Sequence, residues 1–157
     1  MTAKKVLERR AAIAARHPAW EWSSLPGYLD WSLHDHINRP LVVTEAQTLS
    51  YNDVAGLSRR LAAGLTARGI TQGDRVALLM ANDPMTVPLL FAVWRIGAIA
   101  VPLNTLYRAD EIEFTLREAA CSFIVSMRSF GSRNVAAELD STLPGWSKGA
   151  CAALPDL

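Results

Sequence analysis

Few segments of this 157-residue chain carry the side-chain types that do chemistry. His34-Asp35-His36 has the donor types of a metal site, and a divalent ion held by imidazole and carboxylate would be the chemistry implied. Side chains two positions apart do not share a helix face, and no third ligand is evident, so the triplet reads as a solvated helix end. Cys121 could act as a nucleophile, but it opens an apolar segment with no histidine near it in sequence, and it reads as a buried structural thiol. Arg59-Arg60 could receive an anion; their place beside an apolar stripe makes them an exposed helix face instead. Asn104 follows Pro102 at the end of an apolar strand, the edge at which open α/β sheets bind ligands. A turn-forming asparagine is the reading we take there. Cradling a phosphate needs glycines that let backbone N–H groups approach the anion and a lysine for charge. Gly131-Ser132-Arg133 offers a single glycine in a turn, and Ser147-Lys148-Gly149 has no glycine-rich run before it.

The elements around these residues alternate. Residues 4–16 read as a short, weakly patterned helix rich in Ala, Arg and Lys. From His17 to Pro26 the chain reads as an extended strip anchored by Trp20 and Trp22. Tyr28–His36 reads as a helix, with Leu29, Leu33 and then Ile37 four apart. Leu41–Thr44 and Thr48–Ser50 are β-rich and fit a hairpin, although the loop lacks glycine. Ser50 is placed to cap the next helix, with Asp53 completing a capping box. That helix carries a stripe of Val54, Leu57, Leu61 and Leu65 and ends at Gly69.

Gly73-Asp74 then marks a turn. Arg75–Met80 reads as a strand buried on both faces. Asp83 and Pro84 read as the cap and first position of a helix over Met85–Ile96 that is apolar almost all round. Pro88 is tolerable in that helix only within the first turn. Gly97 ends it, Ala98–Pro102 is the next strand, Asp110–Ala120 the next helix with Ile112, Leu116 and Ala119 inward, and Ser122–Ser126 another strand. Strand and helix alternating at these lengths predict an α/β fold: a parallel βαβ sheet with packed helices. Beyond Met127 the pattern weakens to a helix over Val135–Leu139 and a turn at Leu143-Pro144-Gly145. Trp146–Leu157 shows no period. Trp94 reads as a packing residue.

Composition narrows the function classes. Lys+Arg is 16 and Asp+Glu is 15, a balance that gives no electrostatic reason to expect nucleic acid or an anionic membrane surface. Two cysteines are too few for a disulfide framework and suit a reducing cytoplasm. The apolar-rich run Val87–Val101 is interrupted by Pro88, Arg95 and Gly97 and falls short of the ~20 residues of a membrane span. The start of the chain lacks a signal-peptide pattern. A dinucleotide-binding domain shares the βαβ pattern, but Ala81-Asn82-Asp83-Pro84 after its strand has no glycine for pyrophosphate to approach. A response regulator would need an acidic pair after the first parallel strand, and none follows.

From about Pro26 to Val125 the chain resembles the opening third of the adenylate-forming, or AMP-binding, superfamily. Thr48-Leu49-Ser50-Tyr51 resembles its first core motif. Gly69-Ile70 followed by Gly73-Asp74-Arg75-Val76-Ala77 resembles its Gly-Val…Gly-Asp-Arg-Val-Ala element. Arg95-Ile96-Gly97-Ala98 through Val101-Pro102-Leu103-Asn104 looks like the second core motif. The segment around Ala15–Glu21 and Ser24–Asp30 looks most like the acyl- and fatty-acid–CoA ligase branch. Arg108-Ala109 departs from a family Thr-Pro that opens the third helix, which should cost the cap about 0.5–2 kcal/mol.

The resemblance implies an extension over residues 1–25, an incomplete AMP-binding N-terminal domain over 26–145 and an irregular tail over 146–157. It implies ATP, Mg²⁺ and coenzyme A as cofactors of the full-length family and a carboxylic acid as substrate. It assigns Leu49, Ser50, Tyr51, Gly73, Asp74, Arg75, Gly97, Pro102 and Asn104 structural rather than catalytic roles. The phosphate loop and later motifs of such enzymes are not among these residues, so the chain by itself is expected to be inactive and to bind none of the cofactors tightly. The alternative is a truncated paralogue that binds partners, or itself, through the apolar helix Met85–Ile96.

Overall fold

The computed structural model describes residues 3–16 and 24–148. The readings for residues 17–23 and 149–157, including the Trp20 and Trp22 anchors, lie outside them. The elements in order are α1 (Ala3–Arg16), α2 (Leu25–His36), the hairpin β1 (Pro40–Val43) and β2 (Thr48–Ser50), α3 (Tyr51–Thr66), β3 (Arg75–Leu79), α4 (Thr86–Arg95), β4 (Ile99–Pro102), α5 (Ala109–Glu118), β5 (Phe123–Ser126) and α6 (Val135–Thr142). A single 3-10 turn, Trp146–Lys148, follows.

β1 and β2 are antiparallel, while β3 lies between β4 and β5 and is parallel to both. Successive strand residues point to opposite faces. Val76 and Leu78 therefore pack with Ala62, Leu65, Leu89 and Val93 from α3 and α4. Ala77 and Leu79 pack on the other face with Ile112, Leu116 and Leu139 from α5 and α6. All four strand residues are buried. The α/β fold with a parallel sheet is the one the alternation predicts.

Local chemistry explains where the elements start. Ser24 accepts the Gly27 N–H at 3.2 Å, and Pro26 fits the first turn, so α2 begins at Leu25 rather than Tyr28. In the glycine-free hairpin loop, Thr44 Oγ1 donates to the Gln47 carbonyl at 2.9 Å and accepts its N–H at 3.1 Å. Ser50 and Asp53 form the reciprocal capping box. Val54 and Leu65 of the expected α3 stripe are buried, but Leu57 and Leu61 are only half-buried. The centre of the face is made by Ala55, Ser58 and Ala62, small residues that let α4 approach closely.

Two helix starts differ from expectation. Asp83 does not cap α4; its Oδ1 takes the Met85 N–H at 2.7 Å within the preceding turn, and the helix begins at Thr86. Pro88 consequently sits in the first turn, where its missing N–H removes no helical bond. Leu89, Ala92 and Val93 are buried and Leu90, Phe91 and Trp94 half-buried, so this apolar helix is largely covered by the described residues, which gives the partner-binding alternative no support. Arg108 provides no side-chain cap to α5, yet its backbone N–H donates to Glu111 Oε2 at 2.8 Å, keeping half of a capping box. Trp146, expected to be irregular, packs against the α5–α6 core and donates Nε1–H to Asp140 at 2.9 Å.

A polar network lies where α2, α3 and α4 meet. Arg95 donates to both oxygens of Asp30 (2.8 and 2.5 Å) and, through Nε, to the fully buried Ser58 hydroxyl at 2.8 Å. The Ser58 hydroxyl in turn donates a hydrogen bond to the Ala55 carbonyl at 2.9 Å. Arg59, expected as a free exposed face, adds a bond to Asp30 at 2.8 Å. Bonding to Arg95 outweighs burial and holds the Asp30 carboxyl below its ordinary 3.8. His36 is half-buried against the Tyr51 ring, with centroids 5.6 Å apart, rather than solvated.

At the amino end of the sheet the Gly73 N–H donates to the Gly97 carbonyl at 3.0 Å. Gly97 has φ +74°, and an added Cβ would lie 2.9 Å from Gln72 Cγ. Gly69 has φ +90° with open space around it. Gly97→Ala should therefore cost about 1–3 kcal/mol in urea unfolding, more than Gly69→Ala, which carries backbone strain alone. Asp30→Asn should cost about 1–3 kcal/mol by leaving Arg95 short of its anion. Because the folded Asp30 carboxyl is more acidic than the unfolded one, its contribution is present above the unfolded value and is lost as pH falls through the folded one. Wild type should lose stability progressively below about pH 4, and the Asn variant should lack that part of the slope.

Candidate functional site

The connections that leave β3 and β5 part company. After β3 the chain crosses to α4 on one face of the sheet; after β5 it runs to α6 on the other. Neighbouring parallel strands whose following loops diverge open a crevice at their carboxyl ends, the usual ligand position in open α/β sheets. A cleft of about 380 Å³ lies there, lined by Ala81, Asn82, Asp83 and Pro84 after β3, Met127 after β5, and Thr44, Glu45 and Ala46 of the hairpin loop.

The lining sets what this cleft can do. Its ionisable groups are Glu45 and Asp83, both carboxylates. One oxygen of Asp83 is already engaged by the Met85 N–H, and the Thr86 N–H is taken by the Asp83 carbonyl at 2.9 Å. The amino end of α4 has thus spent these donors on its own turn, and Pro88 contributes none. The Met85 and Thr86 donors are thus engaged, and the two carboxylates give the lining a negative character that does not favour a polyanion.

The residues singled out from sequence fall in separate places. Pro102 ends β4 and Asn104 follows it at the carboxyl edge, where Asn104 Oδ1 accepts the Leu106 N–H at 2.9 Å and its carbonyl accepts the Tyr107 N–H. It is a turn-forming asparagine. Gly73, Asp74, Arg75 and Gly97 lie at the opposite, amino edge of the sheet. Asp74 Oδ2 there accepts from the Thr71 N–H (2.6 Å) and hydroxyl (3.0 Å). Leu49, Ser50 and Tyr51 make the junction from β2 into α3. Among the described residues no group of three or more His, Cys, Asp or Glu is placed to hold a metal, and His34 and Asp35 are no closer than 3.9 Å. Cys121 is buried, and desolvation raises its thiol pKa.

Arg133 is the feature the sequence concealed. Its guanidinium donates to the Thr105 carbonyl (2.5 Å), the Tyr107 carbonyl (2.7 Å) and Glu138 (2.7 Å), fastening the loop after β4 to α6. The pairing raises the Arg133 pKa and lowers that of Glu138. Beside it a second cleft of about 560 Å³ runs between this loop and residues 130–133.

Comparison with known proteins identifies the class. The model of the AMP-binding enzyme family matches residues 29–153, and the chain belongs to that family. It is 39% identical over 77 residues to the long-chain-fatty-acid–CoA ligase FadD13 of Mycobacterium tuberculosis, covering 49% of this chain and 15% of that protein. It is 33% identical over 113 residues to a long-chain-fatty-acid–CoA ligase of Haemophilus influenzae, covering 71% of this chain and 20% of that one. The fold matches o-succinylbenzoate CoA synthetase (MenE) from Bacillus subtilis, solved with its acyl-adenylate intermediate OSB-AMP, with a TM-score of 0.66 and 26% identity over 76% of this chain and 30% of that one. The chain therefore spans between a seventh and a third of the length of these relatives.

Arg133→Met should release the loop after β4. The expected outcome is faster amide hydrogen exchange at Leu106 and Tyr107 and a loss of about 1–3 kcal/mol in denaturant unfolding. Unchanged exchange at those two amides would show that Asn104 alone holds the loop.

Proposed function

We propose that this chain is the amino-terminal portion of an AMP-dependent acyl-CoA ligase acting on a fatty or related carboxylic acid. The whole enzyme would join the acid to AMP, release pyrophosphate, and pass the acyl group to the thiol of coenzyme A, with Mg²⁺ shielding the triphosphate. Residues 26–145 would be the part of the AMP-binding domain represented here, and the enzyme would work in the cytoplasm. The observation that carries the reading is the family match over residues 29–153 together with the chain's similarity to long-chain-fatty-acid–CoA ligases.

Within that reading the chain supplies scaffold. Leu49, Ser50 and Tyr51 set the junction into α3, and Gly73, Asp74, Arg75 and Gly97 pack the amino edge of the sheet. Pro102 and Asn104 shape the loop at its carboxyl edge. The acidic lining of the crevice, from Glu45 and Asp83, supports placing the groups that bind ATP outside these residues. The 157-residue chain should thus give no ATP-dependent pyrophosphate exchange above blank with a panel of fatty acids.

A graft tests the positive half. Residues 29–127 placed over the matching segment of a long-chain-fatty-acid–CoA ligase should retain acyl-CoA formation within about tenfold of the parent, a loss under ~1.4 kcal/mol of transition-state stabilisation. Exchange by the isolated chain would refute the scaffold role. A folded graft without activity would refute the assignment to this enzyme class.

A further inference from the structure

The overall charge balance hides a local asymmetry in α1. Lys4, Lys5, Arg9 and Arg10 are all exposed on this helix, against the single acid Glu8. The large apolar side chains of the same helix are exposed too: Val6 by 37%, Leu7 by 64% and Ile13 by 60%. Val6 and Ile13 are seven apart and fall on one line of the helix. Leu7, Ala11 and Ala14 lie on a second line roughly 110° round the helix, with Arg10 between the two. Arg9 and Lys4 border this apolar sector on its two sides, and Lys5 lies opposite. Arg10 lies within the sector, where its long stem can follow the apolar surface while the guanidinium reaches water.

A helix of 14 residues with every described side chain in water is marginal by itself, since helix nucleation is costly and burial normally stabilises the remainder. The surface that would complete it has to accept the apolar sector together with Arg10 inside it and Lys4 and Arg9 at its borders. A phosphate backbone supplies anions without apolar depth. An anionic lipid interface supplies both, and it takes helices of this composition lying flat at the boundary between headgroups and acyl chains.

We propose that α1 is an interfacial helix that docks this protein on an anionic lipid surface. Val6, Leu7 and Ile13 enter the acyl boundary, and Lys4, Arg9 and Arg10 lie among the headgroups. The inference stands apart from the ligase reading, because it concerns a helix that precedes the family match at residue 29 and its test reads no enzyme activity.

Co-sedimentation of the full 157-residue protein with phosphatidylglycerol-containing vesicles, and with pure phosphatidylcholine vesicles, tests it. The expected result is binding to the anionic vesicles at least about tenfold stronger than to the neutral ones, weakened by about 0.5 M salt. Lys4→Glu/Arg9→Glu should weaken binding about tenfold or more, and Leu7→Gln/Ile13→Gln should weaken it as well. Neither pair should shift the thermal unfolding of the sheet domain, since these side chains are exposed. Equal binding to both vesicle types, no binding, or indifference to both variant pairs would overturn the proposal. Binding to duplex DNA that the Gln pair leaves intact, without vesicle binding, would overturn it in favour of a nucleic-acid surface.

Discussion

β3 has no face turned to water. Val76, Ala77, Leu78 and Leu79 are each at most 2% exposed, so the strand needs a cover on both sides and a hydrogen-bonded neighbour at both edges. Those needs organise the rest. α3 and α4 close one face and α5 and α6 the other, which requires the chain to leave β3 and β5 in opposite directions. The crevice at the carboxyl edge is the space between those departures. Its position follows from burial of a strand and not from any reactive side chain, so a domain of this kind can keep the place of a site without holding its chemistry.

The polar network under α4 shows how tightly that packing is tolerated. An arginine at the end of an apolar helix would be costly to bury alone. Arg95 is acceptable because Asp30 and Ser58 use its donors along two edges, and Ser58 occurs at the middle of the α3 face where a larger apolar residue would hold α4 further off. Charge pairing and close approach are one solution. The small residues Ala55, Ser58 and Ala62 allow the helices to meet, and the meeting brings Arg95 to the hydroxyl.

What could be read from the sequence was whatever depended on neighbours a few residues away. The Ser50–Asp53 capping box, the terminating Gly69 and Gly97, the doubly buried strand from Arg75 and the turn at Asn104 are each set by local stereochemistry or a strong hydrophobic pattern. The start of α4 was misplaced because Asp83-Pro84 satisfies the pattern of a helix start, while the Asp83 carboxylate is used two residues on, at Met85. The α3 stripe was assigned to its large residues because periodicity weighs size, whereas the contact with α4 selects small ones. Arg133 was unreadable. Its partners, Thr105 and Tyr107, accept through backbone carbonyls 28 and 26 positions away, and a carbonyl leaves no mark on residue type. The crevice was half legible: the carboxyl edge followed from the strand pattern, but its lining comes from turn backbone and a hairpin loop whose approach only the fold determines.

The carboxyl edge also bears on how membership of the AMP-binding family and an acidic crevice are compatible. A nucleotide triphosphate needs donors that are not otherwise engaged, and in this domain four near the edge are engaged: Met85 and Thr86 on the turn of Asp83, Leu106 and Tyr107 on Asn104. Each of these bonds makes its loop more rigid and less able to turn an N–H toward an anion. Rigidity at the edge and phosphate binding at the edge therefore compete for the same groups. In this domain these donors go to local turns, and Arg133 holds the loop after β4 to α6.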